Sequence, residues 1–269
     1  MIKTNNAKVK IMLLVATVLA IAAGIFRAFL LLNYIEPATG FYITGTSMGT
    51  VFALVCALLC AMVLAFGFMV RKIPAPENLD SKSTVVVFTS ALCAFLYISL
   101  FFYSIYKIVS IEGVTNYFLV IETILCVPCC LNHISVCSSE IRKKNTPHAL
   151  LAMSEAIFFA VRVIEVFMDS KSQINTSQRS LELIMLCSMM VFFLLEAEFL
   201  VVREGGNLKS LSKYVMSGIA SVVFPFVAVI PYLAVSLFWC FEAKFVVMDV
   251  LECCIMLFAA SRMLSLRAE

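Results

Sequence analysis

Charge is what this sequence has least of: 14% of its 269 residues are Asp, Glu, Lys or Arg, against about 25% in soluble domains. With 62% of residues hydrophobic, a water-soluble fold of this length could not cover itself with polar groups. Basic tracts are also missing and the net charge is only +3, which argues against nucleic acid as a partner. No Walker-type glycine loop is written, and no break between apolar runs has room for a soluble domain. Gly-x-Ser-x-Gly and His-Glu-x-x-His are absent, and Asp249 is the one Asp well inside an apolar run. Serine, zinc and paired-aspartate hydrolysis therefore lack their groups. The expectation is a non-enzyme without cofactors.

Apolar runs are what the sequence has in plenty, and mean hydropathy is +1.02. They cover about 9–32, 47–70, 84–106, 116–138, 149–168, 180–202, 213–238 and 244–264, each near the length of roughly 20 residues that crosses a hydrocarbon core. The fold class expected is all-α: a polytopic transmembrane helix bundle of about eight spans, one integral membrane domain over residues 1–269. The fifth run is the least apolar, with Glu155, Arg162 and Glu165 inside it. Lys3, Lys8 and Lys10 followed by small residues near Ala20 resemble a signal peptide, but apolarity continues to Leu32, so an uncleaved first helix is expected. Most of the eleven cysteines sit in apolar runs and read as reduced, small hydrophobes.

Basic loops stay cytoplasmic. With the N-terminus inside, Lys3, Lys8, Lys10, Arg71, Lys72, Lys82, Arg142, Lys143, Lys144, Arg203, Lys209, Lys213, Arg262 and Arg267 lie in cytoplasmic segments. Only Lys107, Lys171, Arg179 and Lys244 lie outside, fourteen against four. Both termini are thus expected in the cytoplasm. Even-numbered helices place an acid soon after entry and a cysteine four or five residues on: Glu122 and Cys126, Glu182 and Cys187, Asp249 and Cys253. This reads as a helical hairpin repeated with decay, or as coincidence in a biased composition.

Two stretches carry a resemblance: Phe26-Arg27 through Glu36-Pro37-Ala38-Thr39-Gly40-Phe41-Tyr42, and Arg162 together with a sixth helix ending Glu196-Ala197-Glu198-Phe199. In these and in helix layout the chain resembles a diffuse group of uncharacterised polytopic membrane proteins from low-GC Gram-positive bacteria. The resemblance implies a plasma-membrane setting and no activity.

Ionisable residues in a transmembrane helix cost roughly 2.5–3.5 kcal/mol each by insertion scales and so point to function. Arg27, Glu122, Arg162, Glu165, Glu182, Asp249 and Glu252 all fall in the outer half of their helices, and together would form an outward-facing polar site. On the fifth helix Glu155, Arg162, Glu165 and Asp169 fall within about 80° of arc. Three readings compete: structural ion pairs that lock helix register, a site for a small solute or cation, and headgroup contact. The acid surplus favours a cation or proton. Glu122, Cys126, Cys130, His133 and Cys137 also share one face of the fourth helix, and thiolate with imidazole suits Zn or Cu(I). Cys126 and Cys129 make a C-x-x-C across Pro128. One straight helix cannot wrap an ion, so packing is the stronger reading and no metal is expected. Pro225 and Pro231 predict a kinked or broken seventh helix, and Gly67 and Ser217-Gly218 predict close helix approach. The functional expectation is a transporter-like protein; the alternative is a non-catalytic sensor, scaffold or assembly subunit. The bilayer is the one partner implied, with a small solute or cation besides.

Overall fold

The computed structural model describes residues 3–36, 40–43, 45–71, 83–110, 117–142, 148–168, 177–203, 211–239 and 246–266. Asp169 and the loop residues Lys72, Lys82, Lys143, Lys144, Lys171, Lys209, Lys244 and Arg267 lie outside them. The described residues form α1 (Lys3–Asn33), α2 (Met48–Val70), α3 (Thr84–Ser110), α4 (Tyr117–Arg142), α5 (Ala149–Met168), α6 (Ser177–Arg203), α7 (Leu211–Ala228), α8 (Ile230–Trp239) and α9 (Val246–Ser265). No strand occurs among them; an isolated antiparallel bridge joins Ile35 to Tyr42. The protein is an all-α helical bundle. The first six apolar runs become α1 to α6, the seventh becomes α7 and α8, and the eighth becomes α9.

Six helical stretches are long and apolar enough to cross a membrane: Lys8–Asn33, Met48–Val70, Thr84–Ser110, Tyr117–Ile141, Ser177–Leu200 and Leu211–Val235. Large apolar side chains such as Leu14, Leu54, Leu58, Phe68, Phe88, Phe95 and Phe102 are exposed on their outer faces, an arrangement that needs lipid rather than water. The chain is a helical membrane protein. Helices α5 and α9 fall short by composition, each holding three ionisable residues: Glu155, Arg162, Glu165 and Asp249, Glu252, Arg262. Those charges point inward. On α5, Glu155, Phe158, Phe159 and Arg162 are buried while Leu150, Ile157, Ile164 and Phe167 are exposed, so the polar face is the inner one.

Helix neighbours trace a closed ring, α3–α4–α5–α6–α7–α9 and back to α3. Helices α1, α2 and α8 pack on the α7 side of it, and α2 lies more against α7 than against α1. Contacts between helices show that successive apolar runs alternate in direction, α7 and α8 counting as one run. Late residues of α9, α6 and α4 meet early α7 (Arg262, Glu196, Glu140, Tyr214), and late α5 meets early α4 and early α6 (Arg162, Glu122, Glu182). The bundle therefore has a proximal end, where α1 starts, and a distal end, where it finishes. Helix α7 is buried nearly throughout.

The prolines break the seventh run at Val229, between α7 and α8. Pro231 has no N–H to give and its ring crowds the preceding turn. Gln178 of α6 donates Nε2–H to the carbonyl of Ala228 at 3.0 Å, satisfying an acceptor beside the break. Close approach falls where glycine stands. A Cβ on Gly24 would collide with the carbonyl oxygen of Phe226, one on Gly67 would meet Met216 Sδ at 2.9 Å, and one on Gly218 would meet Met263 Sδ at 2.7 Å.

Candidate functional site

Inside the ring, ionisable groups lie in three tiers separated by aromatic packing. The distal tier is centred on Arg162 of α5. Its guanidinium contacts Glu165 one turn on, lies 3.6 Å from Glu122 of α4 and 3.8 Å from Glu182 of α6. Asp249 and Glu252 of α9 are near enough to interact with it electrostatically. Six of the seven residues picked from the sequence thus come together, five acids around one cation. Access is graded: the Glu182 side chain is 31% exposed and Glu165 22%, whereas Arg162 is 11% and Glu252 is buried. The tier opens at its α5–α6 rim and closes toward α9. Glu122 Oε1 and Glu252 Oε1 are buried without a hydrogen-bond partner among the described residues.

The middle tier is eleven residues along α4 from Glu122, about 16 Å at helical rise. His133 Nε2 lies 3.0 Å from Glu155 Oε1, and Asn132 donates Nδ2–H to the same oxygen at 2.8 Å. Tyr97 of α3 stacks on His133, with ring centroids 5.8 Å apart, and Phe258 of α9 meets the imidazole edge-on at 4.9 Å. Phe159, Phe193 and Phe258 stack in turn and fill the ring between tiers. Glu155 shares a helix face with Arg162 yet belongs to this tier, because seven residues put it about 10 Å lower.

The proximal tier was read from sequence only in part. Glu196 of α6 contacts both Arg262 of α9 and the Tyr214 hydroxyl of α7, and Glu140 of α4 lies 3.6 Å from Arg262. Arg262 was expected in a cytoplasmic segment; it is buried in the bundle. Periodicity carries the signal. Leu251, Ile255, Phe258 and Arg262 form one buried stripe on α9, and Met185, Met189, Phe192 and Glu196 form another on α6. Each stripe runs apolar and ends in a charge. Arg179, assigned to an external loop, lies instead in the first turn of α6, where its Nη2 donates to the carbonyls of Val166 and Phe167 at the end of α5. It caps a helix C-terminus, a favourable place for a cation.

Arg27 does not join the distal tier. It is fully buried in α1, where Nη1 donates to the Tyr42 hydroxyl at 2.8 Å and Nη2 to the Ser177 hydroxyl at 2.9 Å. Its guanidinium lies over the Phe52 ring at 4.8 Å. Tyr42 is delivered by the turn after α1, in which Gly40 at φ 71° and paired amides from Tyr34 to Ile43 double the chain back. Burial raises the Tyr42 phenol above its ordinary pKa, against the opposing pull of Arg27, so its proton stays in place. Helix α1 borders α7, α8, α2 and α9, and Arg27 reaches α6 at its first residue, Ser177, five residues before Glu182.

The α4 cysteine stripe is dispersed. Cys129 lies 3.8 Å from the Ser154 hydroxyl, Cys137 bonds the Val87 carbonyl at 3.3 Å, and His133 turns to Glu155. Cys126 and Cys130 are buried free thiols. Among the described residues no three His, Cys, Asp or Glu side chains are placed to share a metal ion. No family model matches the chain, and neither a curated protein nor a solved structure matches it.

Proposed function

We propose that this chain is a transporter-like membrane protein whose distal tier binds a small cation or a proton. The observation that carries the reading is the convergence of five carboxylates from α4, α5, α6 and α9 around one guanidinium. With Arg27 elsewhere, the acid surplus is larger than the sequence alone implied. Carboxylates packed this closely cannot all stay ionised without a counter-charge. A bound cation or shared protons restores the balance, and Glu182 and Glu165 at the exposed rim are its entry. Eight crossings with both termini in the cytoplasm fit this arrangement, since the charges of α5 and α9 lie mainly toward the ring. A plasma-membrane setting, kinship with the low-GC Gram-positive group and the absence of catalysis belong to the same proposal.

Proteoliposomes holding the full chain and a trapped pH dye, given an imposed pH or sodium gradient, test it. The gradient should dissipate faster than in empty vesicles. Glu182→Gln and Asp249→Asn should abolish the difference while leaving thermal unfolding in detergent within a few degrees of the parent. Gradients held as tightly as in empty vesicles would leave the second reading, a sensor, scaffold or assembly subunit. That reading is favoured by the direct Arg162–Glu165 contact. It requires the Arg162→Met/Glu165→Leu double variant to be milder than either single one.

A further inference from the structure

Glu252 is the most enclosed acid of the distal tier. It is 2% exposed, and its Oε1 has no hydrogen-bond partner among the described residues. No cation there lies in salt-bridge range of Glu252 or Asp249, because Arg162 is taken by Glu165, Glu122 and Glu182. The groups that face Glu252 are Glu182 of α6, Asp249 of its own helix, Glu122 of α4 and the shared Arg162 of α5, with the Cys253 thiol beside it. Three acids and one committed cation thus surround a carboxyl that water barely reaches. An ionised carboxylate in such a place is costly. A proton removes that charge and needs no cavity, whereas a metal ion needs several oxygens at once, and no three acids among the described residues are placed to share one. Access comes from one turn away. Asp249 stands three residues before Glu252, in the first turn of α9, about 4.5 Å nearer the distal end by helical rise. Asp249, Glu182 and Tyr232 of α8 are partly exposed, and the Tyr232 phenol interacts with both acids.

We propose that the occupant of the distal tier is a proton, carried on the Glu252 carboxyl and loaded through Asp249 from the distal side. This rests on the reading of that tier as a binding site and narrows its ligand from a small cation to a proton. Asp249 takes a proton from water at the mouth. Its O–H bond breaks as one forms on a Glu252 carboxylate oxygen, and Asp249 returns to the carboxylate. Glu182 and Tyr232 border the mouth, and Arg162 neutralises part of the remaining negative charge.

Full-length protein in lipid nanodiscs is read by infrared difference spectroscopy as the pH is cycled between mildly acid and mildly alkaline. A protonated-carboxyl C=O band should rise and fall reversibly and should diminish by one carboxyl in Glu252→Gln. In Asp249→Asn the same band should exchange its hydrogen for deuterium more slowly, by roughly tenfold or more. In proteoliposomes under an imposed pH gradient, Glu252→Gln, which keeps the shape of the protonated carboxyl, should hold the gradient as empty vesicles do. No reversible band in the parent protein would overturn the proposal, a result that needs no variant to fold. So would a band undiminished in Glu252→Gln, or a gradient lost as fast in that variant as in the parent. Failure of the transport reading looks different. A reversible Glu252 band in protein whose vesicles keep their gradient upholds the proton site and defeats transport. Loss of a sodium gradient with no such band upholds transport and defeats the proton site.

Discussion

Arg162 and Arg262 each sit among carboxylates, while Arg27 sits among hydroxyls and rings, although all three are arginines in apolar helices. Burial removes water from a guanidinium at a cost of several kcal/mol, and what replaces the water decides whether the residue locks the fold or awaits a ligand. Arg262 has its answer: Glu196 contacts it directly, with both side chains nearly enclosed. Replacing either one alone should cost about 3–5 kcal/mol by leaving the other charge buried and unpaired. The Arg262→Met/Glu196→Leu pair should recover most of that loss. Thermal unfolding in detergent measures it, and two singles no worse than the double would show the pair to be incidental. The acids of the distal tier could be picked from the sequence because a charge in an apolar run stands out on its own. That Arg27 would not join them could not, because depth along a helix says nothing about which neighbour it faces.

Helix α1 meets α7 where Gly24 abuts the backbone oxygen of Phe226, just before the break at Val229. Gly218 of α7 meets α9 differently, at the flexible end of Met263. A backbone carbonyl in a helix cannot step aside, whereas a methionine can change rotamer. Gly24→Ala should therefore lower thermal stability by about 1–3 kcal/mol, the usual range for overpacking. Gly218→Ala should cost much less, since helix propensity returns up to about 1 kcal/mol. Equal Tm losses for the two would refute the backbone-contact argument. The break itself was legible from Pro225 and Pro231, since a missing N–H is a property of the residue. Its partner was not: Gln178 reaches Ala228 across helices that fifty residues of chain separate, and no sequence feature foretold that α2 would pair with α7 more than with α1.

For the whole molecule, the ring of α3, α4, α5, α6, α7 and α9 turns an apolar composition inside out, with charge within and hydrocarbon-facing residues without. The proposed eight-crossing layout, in which α5 and α9 span as well as the six more apolar stretches, would put the segments around residues 74 and 147 on the same face as both termini. Reporter fusions at those positions should agree in sidedness, with fusions near residues 112 and 242 opposite; a disagreement between 74 and 147 would refute the eight-crossing layout. The sequence by itself determined that this is a bundle of membrane helices, roughly where they begin and end, and which side chains are too costly to face lipid. Those follow from solvation, a property summed along the chain. Tertiary structure alone decided the ring order, the division of the ionisable groups into three tiers, and the separation of Arg27 from Arg162, because these depend on which helix faces lie together, and side-chain spacing on one helix carries no record of its neighbour.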